Sequence, residues 1–155
     1  MNRGADAGRV YRFLLIAPEN PVPIVYTNEP DLSAAAFREI LDASTLGERR
    51  PVDDLDRLQQ MLRGSDLVVT ARDGQRLVGI SRALTDFSYC CYLSDLAVAA
   101  AYQRQGIGRR LIAETHALAG PLTSLILLAA PRAQAYYPKI GMTAHHSCWT
   151  LPRAR

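Results

Sequence analysis

The chain has 155 residues, enough for one domain, and is 48% hydrophobic and 21% charged, near the average for soluble globular proteins. Its 18 basic against 15 acidic side chains make no basic stripe for nucleic acid, and no apolar run reaches the roughly 18 residues of a membrane span. The first residues are polar and small with no apolar segment behind a basic start, so a cytoplasmic protein without a membrane partner is expected.

Residues 1–23 read as an N-terminal arm or an extra edge strand. Residues 10–17 are apolar enough for a strand, and Pro18, Pro21 and Pro23 interrupt the stretch after it. The domain proper is expected over 24–155, opening with a short strand at 24–27. Two helices come after it. Residues 32–43 place Leu32, Ala36, Phe37, Ile40 and Leu41 on one side, with Ser33 as cap. Residues 53–63 repeat the pattern with Leu55, Leu58, Met61 and Leu62, closed by Gly64. The link Gly47-Glu48-Arg49-Arg50-Pro51 between them is a polar connection.

Three strands come next, at 66–71, 76–85 and 89–98, the first two joined by the turn signal Asp73-Gly74. Residues 108–119 predict a helix with Leu111, Ile112, Thr115 and Leu118 inward. The apolar run 125–129 predicts a strand covered on both faces. A short helix at 132–139 and a last strand at 147–151, with Trp149 packed in the sheet, complete the chain. The order predicts an α/β (α+β) domain, a mixed sheet with helices on both faces. Cys90, Cys91 and Cys148 lack metal-ligand spacing, and an odd number argues for reduced, structural thiols.

The strongest chemical signal is Leu96-Ala97-Val98 ending a strand, then Gln103-Arg104-Gln105-Gly106-Ile107-Gly108 opening a helix. Amides at a helix start have no internal partners and carry partial positive charge. Glycines let a bulky anion approach them, so the junction is a phosphate site. Arg104, Arg109 and Arg110 add charge beside it. A Walker loop is excluded because Gly108 is followed by Arg109 and Arg110, and a dinucleotide fingerprint because no third glycine stands three residues after Gly108.

What remains is Q-x-x-G-x-G on Gln103, Gly106 and Gly108. After a Leu-x-Val strand this resembles the acetyl-CoA motif of the GNAT superfamily of N-acetyltransferases. Downstream, Ala133-x-x-Tyr136-Tyr137-Pro138-Lys139-Ile140-Gly141-Met142 resembles the second signature of that superfamily, in the family's order. The resemblance implies a single GNAT-like domain with a mostly antiparallel central sheet. It implies acetyl-CoA as co-substrate, held by Leu96, Ala97, Val98, Gln103, Arg104, Gln105, Gly106, Ile107, Gly108 and Arg109, with no metal. Two departures stand out. Pro138 replaces an acidic or polar residue, and Ala129-Ala130-Pro131 stands where an asparagine often contacts the pantetheine arm.

The resemblance makes Tyr137 the proton donor to the departing thiolate, leaving Tyr136 to the core. The N–H of Val98 then lies near the carbonyl oxygen. Positions that often hold the base in the family carry Ser94 and Tyr92 here, and either could only order a water. Asp95 and Asp86 are carboxylates in reach of this strand, so the base stays open. His116, His145 and His146 read as solvated. The implied activity is transfer of acetyl to a primary amine of a small molecule by direct attack. Acetylation of a protein N-terminus or lysine, and a non-catalytic acyl-CoA-binding sensor, are the alternatives. A homodimer is compatible with all three.

Overall fold

The computed structural model describes residues 23–154, so the expected strand at 10–17 lies outside the described residues. Five strands form one sheet in the order β1 (Val25–Asn28), β2 (Leu67–Asp73), β3 (Arg76–Thr85), β4 (Cys90–Val98), β5 (Ser124–Leu127). The first four run antiparallel to their neighbours, and β5 runs parallel to β4. Glu29 fastens β1, accepting from both Arg72 (Nε at 2.7 Å) and Thr70.

Alternation along the strands sends side chains to two helical layers. Helices α1 (Ala34–Ala43) and α2 (Leu55–Arg63) bury Phe37, Ile40, Leu41, Leu58 and Leu62 against Val68, Ile80 and Ala97. Helix α3 (Ile107–Ala119) buries Ile107 and Leu111 against Val69, Ala71 and Val78 on the opposite face. Each such side chain contributes about 1.5–3 kcal/mol by leaving water. The α/β class and the helices on both faces are as the sequence predicts. The caps are local: Ser33 Oγ accepts from the Ala36 amide at 3.2 Å, and Asp54 from that of Arg57 at 2.9 Å.

Four expectations are corrected. Leu118 is exposed, because α3 buries the row Ile107, Leu111, Thr115, Ala119, which steps by four and leaves Leu118 behind. Strand β5 is covered on one face only, because among the described residues no helix lies over Ile126, which is exposed. The helix at 132–139 is two 3-10 turns, Pro131–Ala133 and Tyr137–Ile140, since Pro138 cannot continue a helical ladder. Residues 147–151 form no strand, and Trp149 is 93% exposed; one Trp and one Leu bury too little to hold an edge strand.

Candidate active site

Strand β4 carries a bulge. Arg82 pairs with Asp95 and Ala83 with Leu93, so Ser94 is the extra residue. Pairing with β5 also stops here, at Leu93 with Leu127. Beyond that point the two strands part, and among the described residues the β4 edge from Ser94 to Val98 has no strand beside it on the β5 side. Leu96 and Val98 are half-buried there, while Ala97 is buried in the core, so only its main chain faces the opening.

The next segment leads from the end of β4 into α3. Gly106, the residue before the helix, has φ +84°, and Arg104 has φ +62°. The first helical bond from the loop is the Arg110 amide to the Gly106 carbonyl, at 3.0 Å. The six successive amides of Arg104 through Arg109 find no protein acceptor among the described residues. A Cβ on Gly106 would meet nothing within 4 Å, so open space lies over them. The residues therefore fit a diphosphate: unpaired donors, a helix start, and the cations of Arg104 and Arg109, which form no ion pair among the described residues. Arg110 is instead paired with Glu114 at 2.6 Å. The exposed side chains of Gln103 and Gln105 donate to the Val98 and Ala101 carbonyls at 3.0 and 3.3 Å. Ile107 is buried, so its amide alone faces the loop.

Tyr137 lies across the gap, half-buried and edge-on to Tyr136 with ring centroids 5.4 Å apart. Together with Ser94, Leu96 and Leu127 it lines a small cavity between the parting strands. Burial pushes its phenol pKa above the usual value, so it stays protonated through neutral pH. On the other side of Ser94 lies a cavity of about 290 Å³ that Tyr92 also lines. Ser94 therefore belongs to both, with Tyr137 lining one of the two cavities and Tyr92 the other.

Three expectations about single residues change. Tyr136 is not core: its hydroxyl lies over Gly108, and burial raises its pKa while Arg109 opposes the shift. Asp95 is no free base, because its buried carboxylate is paired with Arg50 and Arg82. Asp86 is held at the far turn, where three backbone N–H groups, Tyr89 first, depress its pKa to about 2. The histidines are exposed, and His116 meets the Thr123 carbonyl at 2.8 Å.

Sequence reasoning missed Arg50 and Arg82. Arg82 Nη2 donates to Ser94 Oγ at 2.8 Å, and Arg50 Nη2 to the Ser94 carbonyl at 2.9 Å. A charged residue inside the apolar run of β3 was the available signal for Arg82; nothing local marks Arg50. Ser94 Oγ thus accepts from a cation and is a poor base.

The family model described as an acetyltransferase (GNAT) domain matches residues 39–148. No curated protein matches significantly. Among solved structures, a GNAT-family acetyltransferase from Streptococcus pneumoniae superposes with a TM-score of 0.66 at 22% identity, covering 86% of this chain and 98% of that one. An aminoglycoside acetyltransferase from an uncultured soil metagenomic sample, in complex with sisomicin, gives 0.65 at 19% identity, covering 85% and 96%. The aminoglycoside N-acetyltransferase AAC(6')-Iy, in complex with CoA, gives 0.68 at 14% identity, covering 89% and 99%.

Proposed function

The chain belongs to the GNAT acetyltransferases, and on that premise we propose that it moves acetyl from acetyl-CoA to a primary amine of a small molecule. The observation that carries this reading is the meeting of two cavities at Ser94, beside an unpaired strand edge and an unpaired amide loop. Residues 24–155 form the catalytic domain in this reading, and 1–23 an arm. The free amides of Arg104 to Arg109 hold the pyrophosphate, with Arg104 and Arg109 balancing its charge. The open edge from Leu96 to Val98 holds the pantetheine arm. The neighbour solved with CoA supports the co-substrate. The two aminoglycoside acetyltransferases support a small amine as acceptor.

Acetyl-CoA supplies a thioester whose carbonyl carbon the amine attacks, the C–N bond forming as the C–S bond breaks. A lysine-like ammonium must first lose a proton, which at pH 7 costs about 4.6 kcal/mol from a pKa near 10.4. Ser94 and Tyr92 order the water that takes this proton. The Val98 N–H stabilises charge on the carbonyl oxygen. Tyr137 keeps its proton until the sulfur departs and then donates it from Oη, and the proton that the new amide nitrogen sheds restores the phenol. The three free cysteines suit the reducing cytoplasm, where we place the reaction.

One observation favours a second reading, an acyl-CoA sensor: among the described residues no carboxylate or histidine lines either cavity. Thermal shift with CoA and a screen of amines for CoA release separate the two. CoA should raise the melting temperature more than NAD or ATP does. Tight CoA binding with no amine acetylated in a broad screen would favour the sensor.

A further inference from the structure

The cavity on the Tyr92 side of Ser94 has an unusual wall. Five of its ten lining residues are arginines: Arg49, Arg50, Arg57, Arg82 and Arg153. They are of two kinds. Arg50 and Arg82 spend their nitrogens on Asp95, on Ser94 and on the carbonyls of Arg49 and Met61, so they build the wall. Arg49, Arg57 and Arg153 form no ion pair and no side-chain hydrogen bond among the described residues. Among the described residues Asp95 is the one carboxylate that forms an ion pair with this group, and its side chain is fully buried behind the wall. Asp53 and the cap Asp54 precede the helix of Arg57 and Asp56 stands in its first turn, and none of the three lines the cavity.

From this we infer that the acceptor is a small amine that also carries an anionic group, a carboxylate or a phosphate, which the guanidinium groups of Arg49 and Arg57 bind while the amine reaches Ser94. The inference rests on the acetyltransferase reading above and names its substrate class. A guanidinium presents a planar fork of donors that matches either anion with two parallel hydrogen bonds. A polycationic amine would instead bring several ammonium groups against unpaired arginines, and like charges in a partly enclosed site repel. The cavity volume, about 290 Å³, is at the lower end of small-ligand sites and suits a molecule of amino-acid size.

The same charge answers the missing base. Positive potential around Ser94 disfavours the ammonium form of the acceptor and lowers its pKa. The amine then reaches the thioester neutral after giving its proton to solvent, without a carboxylate in the cavity. The wall serves both ends of the acceptor: it holds the anion and discharges the cation.

The test uses matched probes with acetyl-CoA: O-phosphoethanolamine against ethanolamine, β-alanine against β-alaninamide, and glutamate, with spermidine and kanamycin as polycations. The expected result is a kcat/KM at least 100-fold higher for an anionic member than for its neutral partner. The phosphate and carboxylate pairs identify which anion is preferred. Arg57→Gln and Arg49→Gln should raise KM for that probe 10-fold or more, leaving KM for acetyl-CoA unchanged. Calorimetry of the same probes in the presence of CoA gives a readout independent of turnover. Anion binding that weakens in Arg57→Gln supports the inference even if no probe is acetylated, in which case the transfer reading fails alone. Acetylation of spermidine or kanamycin in preference to every anionic probe overturns the inference and leaves the transfer reading standing. Anionic probes that neither bind nor react overturn it too.

Discussion

The hydroxyl of Tyr136 lies 2.9 Å from the place a Cβ on Gly108 would take. The glycine of the loop and the first aromatic of the downstream signature are therefore in contact, although one belongs to α3 and the other to the segment after β5. Gly108 leaves room for a side chain, whereas Gly106, at φ +84°, supplies a backbone conformation.

This contact makes a coupling measurable. Gly108→Ala should weaken CoA binding about 10-fold, because the methyl displaces the Tyr136 ring against the loop. In a Tyr136→Phe background the hydroxyl is gone and the same substitution should cost much less. Calorimetric Kd values for both singles and the double give the cycle. Additive effects would show that the two residues do not sense each other. Gly106→Val should abolish CoA binding in either background, since a β-branched residue strains at this φ.

Asp95 ties Arg50 to Arg82, and Arg82 in turn holds Ser94. Asp95→Ala leaves two guanidinium groups without a counter-charge in the interior. Breaking such a pair costs about 3–5 kcal/mol. The melting temperature should fall by about 10 °C, at roughly 2–4 °C per kcal/mol for a chain of this size. A denaturant midpoint within error of the wild type would mean that water already screens the group.

Tyr137→Phe keeps the ring but removes the proton donor. The expected fall in kcat is about 10² to 10⁴, as for other general acids, with CoA affinity almost unmoved. Burial raises the phenol pKa, so the wild-type rate should hold through neutral pH and decline only above about 10, the ordinary tyrosine value. The mutant should lack that limb. Equal rates and superimposable pH profiles would leave Tyr137 as packing.

Asp86 predicts an acid dependence. Its folded pKa, about 2, lies below the usual carboxylate value because the Tyr89, Ser88 and Cys90 amides donate to it. A depressed folded pKa stabilises the protein above the unfolded value, near 3.9, and that stability is lost as pH falls toward 2. The gap in urea midpoint between wild type and Asp86→Ala should therefore be full at pH 5 and shrink toward pH 2. A gap independent of pH would place the effect in the turn's shape and not in its charge.

The amino-acid sequence by itself determined the strands and helices from β1 to β5 and the glycine loop between β4 and α3. Ser33, Asp54 and Gly106 act on amides within four residues, and the strands from 67 to 98 follow side-chain alternation, so local rules suffice. The glycine loop was legible for the same reason: φ and the unpaired amides of a helix start depend on neighbours in the chain. Tertiary structure alone decided the rest. The bulge at Ser94 depends on the register of β3 against β4. Asp95 meets Arg50 from 45 residues away, and Tyr136 finds Gly108 across the end of the sheet. Leu118 and Trp149 look outward because burial depends on which neighbour arrives, and none arrives for them among the described residues. The arginine wall obeys the same logic. Its members come from the α1–α2 connection, α2, β3 and the C-terminal segment, and only the folded sheet sets them around one cavity.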